Sequence, residues 1–147
     1  MANILRTGLA ASAAIAAALA LAQEKPTPGK PAYDGAAAVM GASTFKTYCA
    51  SCHGATARGD GPLADHLRFS PPDLTRIARR NAGKFPFDKV AKIIDGREAV
   101  KGHGGTDMPI WGDAFKSSRE GFDERKVKER IQDLAHYLAS VQETGEQ

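Results

Sequence analysis

Cys49-Ala50-Ser51-Cys52-His53 is the one segment of this chain whose residue types and spacing specify a chemistry, and it uses both cysteines of the sequence. A C-x-x-C pair alone is ambiguous between a redox dithiol, half a zinc site and a disulfide. The histidine directly after it points to covalent haem attachment. Two thiols one helical turn apart face the same way, so they can add to the two vinyl groups along one side of a porphyrin. The adjacent imidazole then reaches the iron from one face. Cys49 and Cys52 are therefore candidate attachment residues for haem c and His53 a candidate iron ligand; one motif means one haem.

The other face of the iron needs a methionine, a histidine or an open site, and the three lead to different functions. Met40 precedes Cys49 on the same predicted helix and cannot easily reach the opposite face. Met108 lies in a loop far enough along the chain to wrap around the ring. Pro109 pushes it toward an extended backbone, which lets the side chain project. Met108 is the preferred sixth ligand. His103 is its rival, in the same loop between Gly102 and Gly104 where the backbone is permissive; a bis-histidine site would lower the reduction potential. His103 also reads as a plain surface residue. His66 and His136 are weaker candidates, His136 being expected in solvent on the terminal helix.

The elements that position these groups begin after a leader. Residues 1–22 have a short basic start, an uncharged run rich in alanine, and a small-x-small site at Ala20-Leu21-Ala22. This reads as a secretory signal peptide. The rival, an uncleaved anchor, is disfavoured because the run is short and weakly apolar, while spanning helices need roughly 20 apolar residues. A single arginine, not a pair, favours general secretion. The expected location is the periplasm, where thioether bonds would consume thiols that otherwise form a disulfide. Residues 23–33 are rich in proline and charge and read as a flexible leader, and 34–147 as the domain. The formal charge of +3 falls by one with Arg6, and two haem carboxylates would bring it near zero. No nucleic-acid or membrane signal is left.

Asp34 to Cys52 reads as a first helix with Asp34 as N-cap, ended by His53-Gly54. Gly54 to Pro72 reads as a loop, Leu74 to Arg80 and Phe87 to Asp95 as short helices, and Lys101 to Gly112 as a glycine-rich loop. Asp123 to Gln142 is the clearest helix, with Val127, Ile131, Leu134, Leu138 and Val141 on one face. No run alternates as a strand does. The fold class is all-α, short helices and long loops that need a large object at their centre.

The chain resembles class I c-type cytochromes, especially small single-haem bacterial ones, from about Ala36 to Val141. The matching elements are Tyr48-Cys-Ala-Ser-Cys-His-Gly54, Gly59-Asp-Gly-Pro-Leu63, Pro71-Pro-Asp-Leu-Thr75, Met108-Pro-Ile-Trp-Gly112 and Leu134-Ala-His-Tyr-Leu138. The resemblance implies the cytochrome c fold, in which the first helix crosses the C-terminal helix nearly at right angles. Gly41, Phe45, Leu134 and Tyr137 are placed to make that crossing. It also implies that the Pro62 carbonyl accepts the Nδ1 proton of His53, which would fix the imidazole. The Gly54–Leu74 segment is more polar and arginine-bearing than many family loops.

An iron with two protein ligands has no open position, so the expectation is a one-electron carrier and not an enzyme. A methionine ligand raises the potential, and a dry pocket raises it further. Phe69, Leu74, Ile77, Phe85, Ile94, Ile110, Trp111 and Phe115 are expected to line that pocket, each being equally an ordinary core residue. The Trp111 indole N–H could reach a haem carboxylate. Redox proteins would dock weakly at an exposed haem edge near the thioethers. Arg76, Arg79, Arg80 and Lys84 form a basic cluster that reads first as a solvated helix face and second as a docking patch for an acidic partner. Two other functions stay open: a fixed haem subunit of a dehydrogenase or oxidase complex, and a haem enzyme or gas sensor with a labile Met108.

Overall fold

Asp34 starts the first helix, α1 (Gly35–Tyr48), by accepting hydrogen bonds from the N–H groups of Ala37 at 3.0 Å and Ala36 at 2.8 Å. These bonds hold its carboxyl below the usual carboxylate range. The structure, a computed structural model, describes residues 31–98, 108–118 and 123–143. The expected signal peptide (1–22), most of the expected leader (23–33) and His103 lie outside them. Helix α1 buries Ala38, Gly41 and Phe45 against the last helix, α6 (Glu124–Ser140), which is capped by Asp123 and buries Val127, Ile131, Leu134, Ala135, Leu138 and Ala139. At Gly41 the two backbones approach so closely that a Cβ would run into the Asp133 carbonyl. One turn on, the Phe45 and Tyr137 rings lie 5.0 Å apart. The four residues expected at the crossing are the ones that make it.

The sequence predicted one helix from Asp34 to Cys52, and the structure breaks it. Cys49 is a one-residue turn with a widened φ (φ −115°, ψ −31°), and a single helical turn, α2 (Ala50–His53), follows. The N–H groups of Gly61 and Leu63 donate to the carbonyls of Cys52 (3.2 Å) and Ser51 (2.9 Å), so the end of this turn is closed by the following loop. Gly54 then ends it at φ 78°, a conformation glycine adopts without penalty.

A 3-10 turn at Leu74–Arg76 leads into α3 (Ile77–Arg80), with Asp73 accepting from the Thr75 N–H and hydroxyl. Helix α4 (Phe87–Asp95) packs Val90, Ala91 and Ile94 inward and stops at Gly96, which is left-handed. Helix α5 (Trp111–Lys116) begins where the sequence predicted loop up to Gly112. Six residues are too few to show a period. Among the described residues there is no strand and no helix long and apolar enough to cross a membrane.

The end of α6 sews on the wall made by residues 73–80. Gln142 is buried; its Oε1 accepts from the Ala78 N–H at 2.8 Å, and its Nε2 donates to the carbonyls of Leu74 (2.8 Å) and Leu138 (2.7 Å). The Glu143 N–H donates to the Thr75 carbonyl, and its carboxylate pairs with Arg58 at 2.8 Å and Arg76 at 3.1 Å. His136 is not the solvated residue expected. Its Nδ1 accepts the Asp34 N–H at 3.0 Å and its ring lies 4.5 Å from that of Phe87. It fastens the start of α1 to α6.

Candidate functional site

Helices α1, α4 and α6 and the 72–81 wall enclose an apolar cleft of about 830 Å³ including its mouth. Cys49, His53, Met108 and Trp111 line it, and the same four line an adjoining recess that also holds Cys52, Tyr48 and Phe69. The structure thus gathers into one space residues that stand far apart in the chain. His53 is 7% exposed, and its turn is held by its own N–H donating to the Cys49 carbonyl and by its carbonyl accepting from Gly59.

The geometry separates the meanings a C-x-x-C pair can have. A redox dithiol needs a thiol acidified by its surroundings. Here burial, and then the neighbouring Cys52, push the Cys49 thiol up to about 12, so it stays protonated at neutral pH. A zinc site needs further ligands, and no group of three or more His, Cys, Asp or Glu side chains among the described residues could hold a metal ion. Both cysteines are half-buried free thiols on the cleft wall beside a buried imidazole. An apolar slot, two thiols on one turn, an imidazole nitrogen and a thioether sulfur form a donor set that fits a porphyrin.

Met108 is half-buried and shares the whole cleft with His53, while Met40 is 61% exposed on the outer face of α1. Pro62 is itself exposed, but the bonds from Gly61 and Leu63 hold its peptide beside the turn that carries His53. Trp111 forms an aromatic group with Tyr48 and Phe115 at centroid distances of 5.6 and 5.5 Å, and the Arg130 guanidinium lies 5.3 Å over Phe115.

Of the expected lining, Phe69, Leu74, Ile77, Ile94 and Trp111 are in place. Phe115 instead packs behind Trp111 at 1% exposure, Phe85 lies against Phe87, and Ile110 is exposed beside Gly96. Phe45, Val90, Ile93, Leu134 and Leu138 line the cleft and were missed, because their helical period reads only as core. The basic cluster divides. Arg76 is paired with Asp73 and Glu143, and Arg80 donates to the Asp73 carbonyl at 2.8 Å on the cleft rim; Arg79 and Lys84 are exposed.

A family model described as Cytochrome c matches residues 38–142. No curated protein and no solved structure matches the chain.

Proposed function

The chain belongs to the cytochrome c family of electron carriers that hold haem c covalently, and on that premise we propose that it is a soluble periplasmic one-electron carrier with its iron ligated by His53 and Met108. The observation that carries this reading is that Cys49, His53 and Met108 line one apolar cleft. Haem c supplies a ferric/ferrous couple there. Cys49 and Cys52 anchor it, and the short α2 turn presents the imidazole at a fixed distance from both thiols. The Met108 thioether favours the ferrous state. The leucines, isoleucines and valine of the walls exclude water, which disfavours the extra charge of the ferric state. With His53 and Met108 both holding the iron, no position would be left for a substrate, and we read the chain as a carrier and not an enzyme.

The recess with Cys52 gives the electron its exit. Cys52 is half-buried, and Phe69 and Leu63 are exposed nearby. Redox partners would dock on this apolar rim through a small, transient contact. Removal of residues 1–22 at Ala22 would release the domain into the periplasm. One observation favours the second reading, a fixed subunit of a larger redox complex: Val39 and Met40 are adjacent and exposed on the outer face of α1. Copurification with a large subunit at high salt would select that reading.

Replacing Met108 with alanine tests the ligand pair. The expected result is loss of the low-spin spectrum, a lower potential and new carbon monoxide binding. If low-spin character survives in Met108→Ala and disappears only when His103 is also replaced, His103 is the ligand and the assignment fails.

A further inference from the structure

The cleft is lined mostly by apolar side chains, and besides Cys49 and His53 three polar residues line it. Arg80 and Asn81, where α3 ends, and Lys89, near the start of α4, line the main chamber, and none of them lines the recess that holds Cys52. Cys52 and these three residues therefore lie in different parts of the cleft, while Cys49 lines both. Haem is divided in a similar way: its two vinyl groups lie on one half of the ring and its two carboxylates on the other. Thioether bonds at Cys49 and Cys52 bring the vinyl half toward Cys52, so the carboxylates lie toward the other part. We propose that Arg80, Asn81 and Lys89 seat the haem carboxylates, a role that rests on haem attachment at Cys49 and Cys52.

The side chains suit the task. A guanidinium has five N–H donors in a planar fork, and one of them is used at 2.8 Å on the Asp73 carbonyl. That bond holds the group in place while the rest of the fork matches a carboxylate. The Asn81 Nδ2 donates to the Ile77 carbonyl at 3.0 Å, which holds the amide at the rim. The Lys89 ammonium stands 3.8 Å from the Glu98 carboxylate, a long and exposed ion pair that a nearer carboxylate can displace. Two carboxylates carried to the edge of an apolar cleft need such partners, because an unpaired charge there is costly. Trp111, the residue expected to do this, lines both the main chamber and the recess with Cys52, and its ring packs on Tyr48 and Phe115.

The test uses the haem-loaded protein and two readouts, the midpoint potential and the resonance-Raman bending band of the haem carboxylates. Arg80→Gln and Lys89→Gln are compared with Arg79→Gln, which removes the same charge from an exposed residue outside the cleft. Arg80→Gln should lower the ferrous-to-ferric ratio at fixed potential about threefold, ~30 mV at ~59 mV per tenfold for one electron. It should also shift the bending band. Lys89→Gln should do the same to a smaller degree. Arg79→Gln should leave the band in place, as should Trp111→Phe. The proposal is overturned if Arg80→Gln and Lys89→Gln match Arg79→Gln, or if Trp111→Phe is the variant that moves the band. Should Arg80→Gln fail to fold, Lys89→Gln decides by the same two readouts. The spectrum of the denatured pyridine complex reports thioether attachment separately, so a misplaced carboxylate seat and an absent covalent haem give different results.

Discussion

Where α1 crosses α6 the chain packs on itself. Gly41 brings the backbones together, Phe45 meets Tyr137, and Leu134 is 1% exposed. The wall in a wider sense, residues 54–81, takes in the 72–81 stretch across the cleft and the loop before it, and is built otherwise. Its buried side chains are small, cyclic or polar (Ala57, Ala64, Pro71, Thr75 and Ala78), while Leu74 and Ile77 are half-buried and face the cleft. Its ties to α6 are the polar clasps of Gln142 and Glu143. The crossing buries its apolar surface within the chain, whereas Leu74 and Ile77 of the wall, though packed against the core, leave apolar surface on the cleft for the cofactor to cover. Stability should therefore divide along that line, since local opening follows the density of buried apolar contacts.

The largest effect should come from replacing Cys49 and Cys52 together by serine, which removes haem attachment. Hydrogen exchange should then show the 54–81 wall unprotected while α1 and α6 keep slow amides at their crossing. Equal loss in both regions would break the comparison. Next is Gly41→Ala. In an exposed helix this change gains ~1 kcal/mol. Here the new Cβ meets the Asp133 backbone, which cannot swing aside as a side chain could. A net loss of about 2–3 kcal/mol in denaturant unfolding is expected, as for overpacked cores. A neutral or stabilised variant would mean that the crossing has slack.

The two regions also differ in how far the sequence announces them. Asp34 and Asp123 are helix caps by type and position, and Gly41, Phe45, Leu134 and Tyr137 follow from helical spacing, so the crossing is readable locally. Cys49, Cys52 and His53 are readable from one pentapeptide, and Met108 from the proline after it. The rest depends on partners distant in the chain. The last carbonyls of the α2 turn, those of Ser51 and Cys52, find their donors at Leu63 and Gly61. His136 finds its bond 102 positions away at Asp34. Gln142 looks like a frayed polar helix end, yet it is buried because three backbone groups converge on its amide. Helix α5 is too short for a period. Leu134 and Leu138 serve as helix core and cleft wall at once, and periodicity reports only the first.

Gln142→Ala should have a smaller effect than Gly41→Ala and a different address. It leaves the Ala78 N–H and the carbonyls of Leu74 and Leu138 short of a partner. Leaving buried groups unsatisfied costs about 1–3 kcal/mol, and water reaching this edge should hold the loss near ~2 kcal/mol. Because Leu74 and Ile77 line the cleft, the potential should fall with it as the wall loosens. Gln142→Glu keeps the acceptor for Ala78 and loses both donors, so it should not rescue. Lost stability with an unchanged potential would show that the clasp holds the fold but not the cleft.

The smallest effect belongs to Glu143, and its sign follows from its two arginines. Hydrogen bonds from Arg76 and Arg58 hold its carboxyl below the ordinary glutamate value of 4.5. A carboxyl whose pKa is lower folded than unfolded stabilises the fold above its unfolded value, and that contribution disappears as pH falls through the folded value. The melting temperature of the wild type should therefore exceed that of Glu143→Gln slightly at pH 6–7, and the gap should close as the pH drops below about 4.5. Salt should narrow the gap at neutral pH, because both guanidinium partners are exposed to screening. The pairs join Arg58 and Arg76 of the wall to the end of α6 and touch nothing at the crossing. Hydrogen exchange in Glu143→Gln should thus rise in the wall alone; a uniform rise would mean that the two regions open as one unit.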